Sequence, residues 1–269
     1  KEEIIMKIGF IGCGNMATAI LKGILKSGEV AEADIIASAK SDKTREKIEK
    51  ELGIQKADTN AQVVDFADVV FLSVKPQFLE GVLDEIKASV KENQIFISIA
   101  PGKTLQWFAE KLGEKTKVIR TMPNTPAMVG EGMTALCVND LVTEEETALA
   151  VKLCNTFGKT EVIPERLMDV VVGVSGSSPA YVFMFLEAMA DAAVADGMPR
   201  AQAYKFAAQA VLGSAKLMLE TGKHPGELKD MVCSPAGTTI QAVRVLEEKG
   251  LRSAVFEAQT TCVNKAKGM

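Results

Sequence analysis

The stretch Ile8-Gly9-Phe10-Ile11-Gly12-Cys13-Gly14-Asn15-Met16-Ala17 decides the fold. Its apolar opening reads as a strand, and the residues from Asn15 onward read as a helix. Between the two, Gly12, Gly14 and Ala17 stand at the G-x-G-x-x-A spacing of a dinucleotide-binding βα turn. Gly12 allows the tight turn, Gly14 lets the backbone approach a pyrophosphate, and Ala17 permits close packing of the helix. The N–H groups at the helix start would face the phosphates with the positive end of the helix dipole behind them. The alternative is an ordinary tight βα turn, which the surrounding pattern has to decide against.

Outward from this turn, short apolar runs alternate with amphipathic stretches up to about residue 163. Strands are expected at Lys7–Ile11, Asp34–Ser38, Val69–Val74, Ile95–Ile99, Lys117–Thr121, Thr134–Val138 and Thr160–Ile163, with helices at Asn15–Lys26, Lys43–Leu52, Phe78–Lys91, Leu105–Leu112 and Thr143–Phe157. Alternation of this kind implies a sheet of mainly parallel strands covered by helices. Beyond Pro164 the β-rich runs end and long Ala-, Leu- and Met-containing segments follow. Helices are expected at about 179–196, 200–221, 225–233, 238–249 and 251–266, with Ser178-Pro179 as N-cap and first turn. The fold class is therefore α/β, an N-terminal doubly wound Rossmann-type domain over 6–163 followed by an all-α domain over 164–269.

The helix expected from Tyr181 to Ala195 is apolar on nearly every side, broken only by Glu187 and Asp191. Such a helix has to be buried all round, inside its own domain or against a second subunit. The longest uninterrupted apolar run, Ala180–Leu186, is far shorter than the roughly 20 residues a membrane span needs. No membrane anchor is expected. Lys1–Ile5 lacks the apolar core of a signal peptide, and Met6 reads as a candidate native start with an added remnant ahead of it.

Thirty-one basic and 35 acidic side chains leave a formal charge of −4, with no basic face for nucleic acid. The five cysteines, Cys13, Cys137, Cys154, Cys233 and Cys262, form no C-x-x-C pair, so neither a zinc site nor a disulfide framework is expected. Reduced thiols in a cytoplasmic protein are the simple reading. The single histidine, His224, precedes Pro225 and reads as a helix cap. Met184, Met189, Met198, Met218 and Met231, and Trp107, read as packing residues.

At the end of the second strand, where NAD-specific folds carry an acid for the ribose hydroxyls, the chain reads Ser38-Ala39-Lys40-Ser41. Hydroxyls and an ammonium suit a 2′-phosphate better than a carboxylate would, which favours NADPH with NADH still usable. Asp42 stands just beyond, and a solvated helix start is the competing reading of Lys40, Lys43 and Arg45.

Three further segments, taken with the phosphate loop, resemble the pyrroline-5-carboxylate reductase family. They are Val74-Lys75-Pro76-Gln77, then Ile119-Arg120-Thr121-Met122-Pro123-Asn124-Thr125-Pro126 continuing through Val129-Gly130-Glu131-Gly132, and the C-terminal pair Ser175–Tyr181 and Ser234-Pro235-Ala236-Gly237-Thr238-Thr239-Ile240. The resemblance runs from Met6 to the last helix. It departs at Ser178 and Ala236, where the family usually has glycine; both loops are expected to survive.

The resemblance implies an NAD(P)H-dependent reduction of the cyclic imine 1-pyrroline-5-carboxylate to proline. It implies that Ile11, Gly12, Cys13, Gly14, Asn15 and Met16 hold the pyrophosphate, that Ser38, Ala39, Lys40, Ser41 and Asn60 hold the adenine ribose end, and that Val74, Lys75, Pro76 and Ala100 line the nicotinamide half. It implies a homodimer through intertwined helical domains, with larger assemblies of dimers open, and an active site between cofactor and helices. Such a reduction needs a hydride, a protonated ring nitrogen and a grip on the substrate carboxylate, and no covalent nucleophile. Ser234–Thr239, with hydroxyls and a small-residue turn ahead of a helix, suits a carboxylate. By the resemblance Thr239 contacts the ring nitrogen, Gly237 and Thr238 bind the carboxylate through backbone N–H groups beside Ser234, and Glu165 stands near the substrate. A plain N-cap and a helix-start acid are the competing readings.

Overall fold

The structure, a computed structural model, describes residues 6–268; the expectation for Lys1–Ile5 lies outside them. The chain divides into two compact units, one running to Gly176 and taking in the stretch from Cys262, the other Ser177–Thr261.

Among the described residues the first unit carries eight strands: β1 Ile8–Ile11, β2 Ile35–Ser38, β3 Gln55–Ala57, β4 Val69–Leu72, β5 Ile95–Ser98, β6 Lys117–Met122, β7 Gly132–Val138 and β8 Gly158–Val162. They lie in the order β3-β2-β1-β4-β5-β6-β7-β8. The helices α1 Asn15–Ser27, α2 Asp42–Lys50, α3 Asn60–Phe66, α4 Pro76–Ile86, α5 Leu105–Leu112 and α6 Glu144–Cys154 fill the connections.

The alternation of strand side chains sorts the helices to two faces. Ile8, Phe10, Val69, Phe71, Ile95 and Ile97 join one core with Ile20, Leu21 and Ile24 of α1 and Leu153 of α6. Ile11, Val70, Leu72 and Phe96 join the other with Val63 of α3, Leu79 and Leu83 of α4 and Phe108 of α5. Phe10 and Phe71, opposite each other on β1 and β4, stack with ring centroids 4.6 Å apart. On the second face Gly9 has no side chain because a Cβ there would stand 2.5 Å from Val63 Cγ1; α3 rests directly on β1.

Three features depart from expectation. β7 runs antiparallel to β6. The link between them holds only the 3₁₀ turn Thr125–Val129, and a parallel return needs a crossover of a dozen or more residues. β3 and α3 lie where no element was expected. β3 is a three-residue, largely polar edge strand with no apolar run to betray it. α3 did leave a signal: Thr59 and Gln62 form a capping box, the side chain of each bonded to the other's backbone N–H.

Glu165–Leu167 is a 3₁₀ turn, followed by α7 Met168–Val171 and a π-helical turn at Val172–Gly176. The second unit holds α8 Ser178–Ala195, α9 Arg200–Thr221, α10 Pro225–Val232 and α11 Thr238–Glu248, and α12 spans Leu251–Lys267. Ser178 is the first helical residue rather than the cap, and Pro179 stands in the first turn, where its missing N–H costs nothing. His224 is the N-cap of α10, its Nδ1 accepting the Gly226 N–H at 3.1 Å.

The helical stretch Glu165–Ala195, 31 residues, is long and apolar enough by length and composition to cross a membrane. This corrects the expectation from Ala180–Leu186 alone. Helical turns occupy the Ser- and Gly-containing segment that reads as a break, so apolar residues on both sides count together. Among the described residues of Ser177–Thr261 only Ala190, Ala203 and Ala207 are buried. Phe183 is 65% exposed, Leu219 84% and Phe256 74%. The all-round apolar helix is thus not buried by its own chain, which leaves the second of the two expected solutions, a partner subunit.

Candidate functional site

The carboxyl ends of β1, β2, β4 and β5 form one edge of the first unit, the position at which open α/β sheets bind ligands. β1 leaves the sheet at Gly12, whose φ of +89° favours glycine. A Cβ there would also meet Val74 Cγ1 at 2.8 Å and the Ser73 carbonyl oxygen at 2.9 Å, so two separate constraints require glycine. Its N–H donates to the Ser38 carbonyl at 3.1 Å, and the Ser73 hydroxyl donates to the Gly12 carbonyl at 2.8 Å. The loop is thereby tied to the ends of both neighbouring strands.

Gly14 is the N-cap of α1, with no side-chain cap bond and no acidic residue in the first turn. Nothing lies within 4 Å of where its Cβ would be. Open space therefore sits against helix-start N–H groups that no side chain caps, and a pyrophosphate fits that setting in size and charge. Cys13 is buried, and Ala17, 1% exposed, lets α1 pack on the sheet.

The second strand ends at Ser38, which is buried. Its hydroxyl donates to Asn60 Oδ1 at 2.6 Å, and Asn60 Nδ2 donates to Glu85 Oε2 at 2.7 Å. Arg45 Nε donates to the Ala39 carbonyl at 2.7 Å, while Ser41 Oγ accepts the Thr44 N–H at 3.3 Å as α2 begins. Lys40 Nζ stands 5.8 Å from the Phe78 ring centroid. Asp42, the first residue of α2, is exposed.

Lys75 is the N-cap of α4 with Pro76 in its first turn. Val74 abuts Gly12, and Ala100 follows β5, its N–H donating to Ser98 Oγ at 3.2 Å. The expected pyrophosphate, ribose and nicotinamide residues thus share one strand edge. Sequence reasoning missed Ser73, Glu85 and Arg120. Arg120 was legible as a charged residue in the middle of a strand, behind the apolar pair Val118 and Ile119; Ser73 and Glu85 carry no local signal.

Glu165 belongs to the same unit, where its Oε1 accepts the Leu105 N–H at 2.7 Å and pairs with Arg120. Cys137, opposite Arg120 on β7, has its thiol pushed up to about 11, chiefly by burial. Asn124 joins the segment after β6 to the π turn: Nδ2 donates to the Ser175 carbonyl at 3.0 Å, and Oδ1 accepts the Met133 N–H at 2.8 Å.

In the second unit, Ser234–Thr239 leads into α11. Gly237 is its N-cap without a side-chain cap bond, and its N–H donates to the Ser234 carbonyl at 3.0 Å. A Cβ on Gly237 would stand 2.3 Å from Ser234 Oγ, so only glycine brings this hydroxyl against the helix start. Ala236 has φ +60°, alone among the described non-glycine residues in having positive φ. Thr238 and Thr239 open the helix, Thr239 half-buried. The arrangement suits a small carboxylate, with uncapped N–H groups and hydroxyls gathered at one helix start. Among the described residues no group of three or more His, Cys, Asp or Glu could hold a metal ion.

Comparison with known proteins matches both halves of the chain. Residues 165–269 match the family profile for pyrroline-5-carboxylate reductase dimerisation, and residues 7–102 match that for coenzyme F420-dependent NADP oxidoreductases. A pyrroline-5-carboxylate reductase of Escherichia coli (strain K12) is 56% identical over 260 residues, 97% of each chain. Among solved structures, a pyrroline-5-carboxylate reductase from Coxiella burnetii superposes with a TM-score of 0.92 at 34% identity, covering 98% of both chains. Plasmodium falciparum pyrroline carboxylate reductase with NADP bound gives 0.87 at 28% identity over 98% of this chain and 97% of that one.

Proposed function

The chain belongs to the pyrroline-5-carboxylate reductase family, and from that premise we propose which of its residues carry the reaction. The enzyme reduces the C=N bond of 1-pyrroline-5-carboxylate to give L-proline, the closing step of proline biosynthesis, and uses NADP(H). The observation that carries the cofactor assignment is the Gly12–Gly14 turn, with its uncapped helix start and open space. When bound, NADPH supplies a hydride to the imine carbon.

Ile11–Met16 hold the pyrophosphate through backbone N–H groups. Ser38–Ser41 and Asn60 hold the adenine ribose end, while Val74, Lys75, Pro76 and Ala100 line the nicotinamide half. The Thr238 N–H and the Ser234 hydroxyl bind the substrate carboxylate, while the Gly237 N–H, given the same task by the resemblance, is held by the Ser234 carbonyl at 3.0 Å and shapes the turn. Thr239 Oγ1 meets the proton on the ring nitrogen and keeps the electrophilic carbon turned to the hydride. As that carbon is reduced, the C=N π pair comes to rest on the nitrogen, which keeps its proton and its ring bond as the secondary amine of the product. For Glu165, the bonds to Arg120 and the Leu105 N–H support a part in positioning the start of the helical run. The iminium-stabilising part that the resemblance implies is separable by experiment.

The enzyme oligomerises through its C-terminal half. We assign a homodimer, supported by the exposed Phe183, Phe206 and Phe256 and by an apolar groove of about 610 Å³ lined by Phe185, Met189, Val211, Leu217, Met218 and Leu228. Burial of such surface is the main drive for stable association. We place the enzyme as a soluble protein of the cytoplasm, a reducing compartment in which the buried thiols of Cys13, Cys137 and Cys154 keep their reduced form.

The test is steady-state oxidation of NADPH and of NADH with five- and six-membered cyclic imine carboxylates. Efficient turnover of the five-membered ring with NADPH is expected. Turnover of a hydroxyacid pair in preference to any cyclic imine would overturn the assignment.

A further inference from the structure

We propose that Glu85, which accepts a hydrogen bond from Asn60, is a positioning residue that sets the hydrogen-bonding polarity of the adenosine end. The inference rests on the assignment of Ser38–Ser41 and Asn60 to that end. Its basis is the chain of bonds from Glu85 Oε2 to Asn60 Nδ2 at 2.7 Å and from Asn60 Oδ1 to Ser38 Oγ at 2.6 Å.

An ionised carboxylate only accepts hydrogen bonds, whereas an amide has one donating and one accepting end. Glu85 therefore turns the Asn60 NH₂ toward itself, and Asn60 Oδ1 faces Ser38. Ser38 has one hydroxyl proton, and it goes to that oxygen. Only lone pairs of Ser38 Oγ remain for a ligand. A ribose hydroxyl, which donates, is matched by such an oxygen; a phosphate oxygen, which accepts, is not. Ser38 therefore reads the 3′-O–H, the one hydroxyl of the adenosine ribose that both nicotinamide cofactors share. Recognition of a 2′-phosphate falls to the neighbouring turn, where Lys40, Ser41 and Arg45 offer donors. The backbone keeps Ser38 in place for this, since its carbonyl holds the Gly12 N–H of the phosphate loop at 3.1 Å.

Glu85 is exposed and lies in the last turns of α4, so replacing it should not disturb the core. Glutamine at this position either donates or accepts, and the amide of Asn60 is released to turn over. Calorimetric titration of substrate-free enzyme with NADPH and with NADH should show Glu85→Gln weakening both by about 2- to 10-fold, the worth of a neutral hydrogen bond. The melting temperature should not change. In an Asn60→Ala background, Glu85→Gln should have no further effect, because the coupling runs through Asn60. Three results would overturn the proposal. Unchanged affinity in Glu85→Gln with weakened binding in Ser38→Ala would remove Glu85 alone from the account. Unchanged affinity in both would remove the placement of the ribose end itself. An undiminished Glu85→Gln effect in the Asn60→Ala background would show that Glu85 acts by another route.

Discussion

A single carboxylate oxygen of Glu165 pairs with the Arg120 guanidinium, which is 9% exposed, and accepts the Leu105 N–H that opens α5. One acid thus neutralises a cation inside the sheet and fills a helix-start donor. Glu165→Ala leaves that cation unpaired. Because Glu165 is itself about a third exposed, the cost should fall below the usual range for a broken buried pair, at roughly 2–3 kcal/mol by chemical denaturation. Glu165→Gln keeps an acceptor for both partners and should lose about 1 kcal/mol. Turnover separates the two readings of this residue: a large fall in kcat for Glu165→Gln at near-native stability would place the charge at the substrate.

The Ser38–Ser41 turn carries no acid, so NADPH should be used more efficiently than NADH. Ala39→Asp or Ser41→Asp sets a carboxylate against the 2′-phosphate. At an effective dielectric near 20, charges several ångströms apart repel by roughly 1–4 kcal/mol, so NADPH affinity should drop about tenfold or more while NADH affinity changes little. Equal loss for both cofactors would show that the 2′-phosphate lies elsewhere.

Ala236 stands at φ +60° in the turn ahead of α11. A side chain in the left-handed region costs about 1–2 kcal/mol, against which glycine has a larger unfolded-state entropy of about 0.4–1 kcal/mol. Ala236→Gly should therefore stabilise the protein by roughly 0.5–1 kcal/mol and leave the loop's hydrogen bonds in place. Destabilisation on that change would contradict the observed backbone.

The thiols of Cys154 and Cys137 are pushed up to about 12 and 11, in both cases chiefly by burial. At pH 8 almost none of either is thiolate, the reactive form. Native protein treated with a thiol reagent should leave both unlabelled, and unfolding should expose them; rapid native labelling of Cys154 would contradict the packing of α6.

How much of this was legible differs by element. The phosphate loop was readable because its chemistry is backbone chemistry: Gly12 and Gly14 are needed for shape, and shape is written in residue type. α5 at Leu105–Leu112 and α9 at Arg200–Thr221 match their expected bounds because periodicity and end signals agree there. β3 was silent, since Gln55 and Lys56 are exposed and only Ala57 is buried. The antiparallel turn into β7 depended on how short a link can be, which period alone does not reveal. Arg120 and Glu165 are 45 positions apart, and Asn60 and Glu85 are 25; such partnerships follow from topology and leave no local trace. Ser178 and Ala236 were read alike as small replacements for glycine, yet only Ala236 sits at positive φ, a distinction that needs coordinates.

The near-absence of buried side chains in Ser177–Thr261 means that association and folding of this unit should be inseparable. Phe183→Glu places a charge on an exposed apolar helix face and should give aggregated or unfolded protein by light scattering. A fully active monomer would contradict the dimer.

The most direct test of the account compares kcat/KM for 1-pyrroline-5-carboxylate in Thr239→Ser and Thr239→Val, with the imine varied at saturating NADPH. Thr239 is the second residue of α11, two positions after the N-cap Gly237, where no side-chain bond caps the helix start. A hydroxyl bonded to a charged partner is worth about 1.5–3 kcal/mol, so Thr239→Val, which keeps shape and loses the hydroxyl, should fall roughly 10- to 150-fold in kcat/KM. Thr239→Ser should keep most of the activity, with NADPH binding normal in both. Full activity in Thr239→Val would show that the hydroxyl takes no part in the reaction and would contradict the placement of the imine nitrogen.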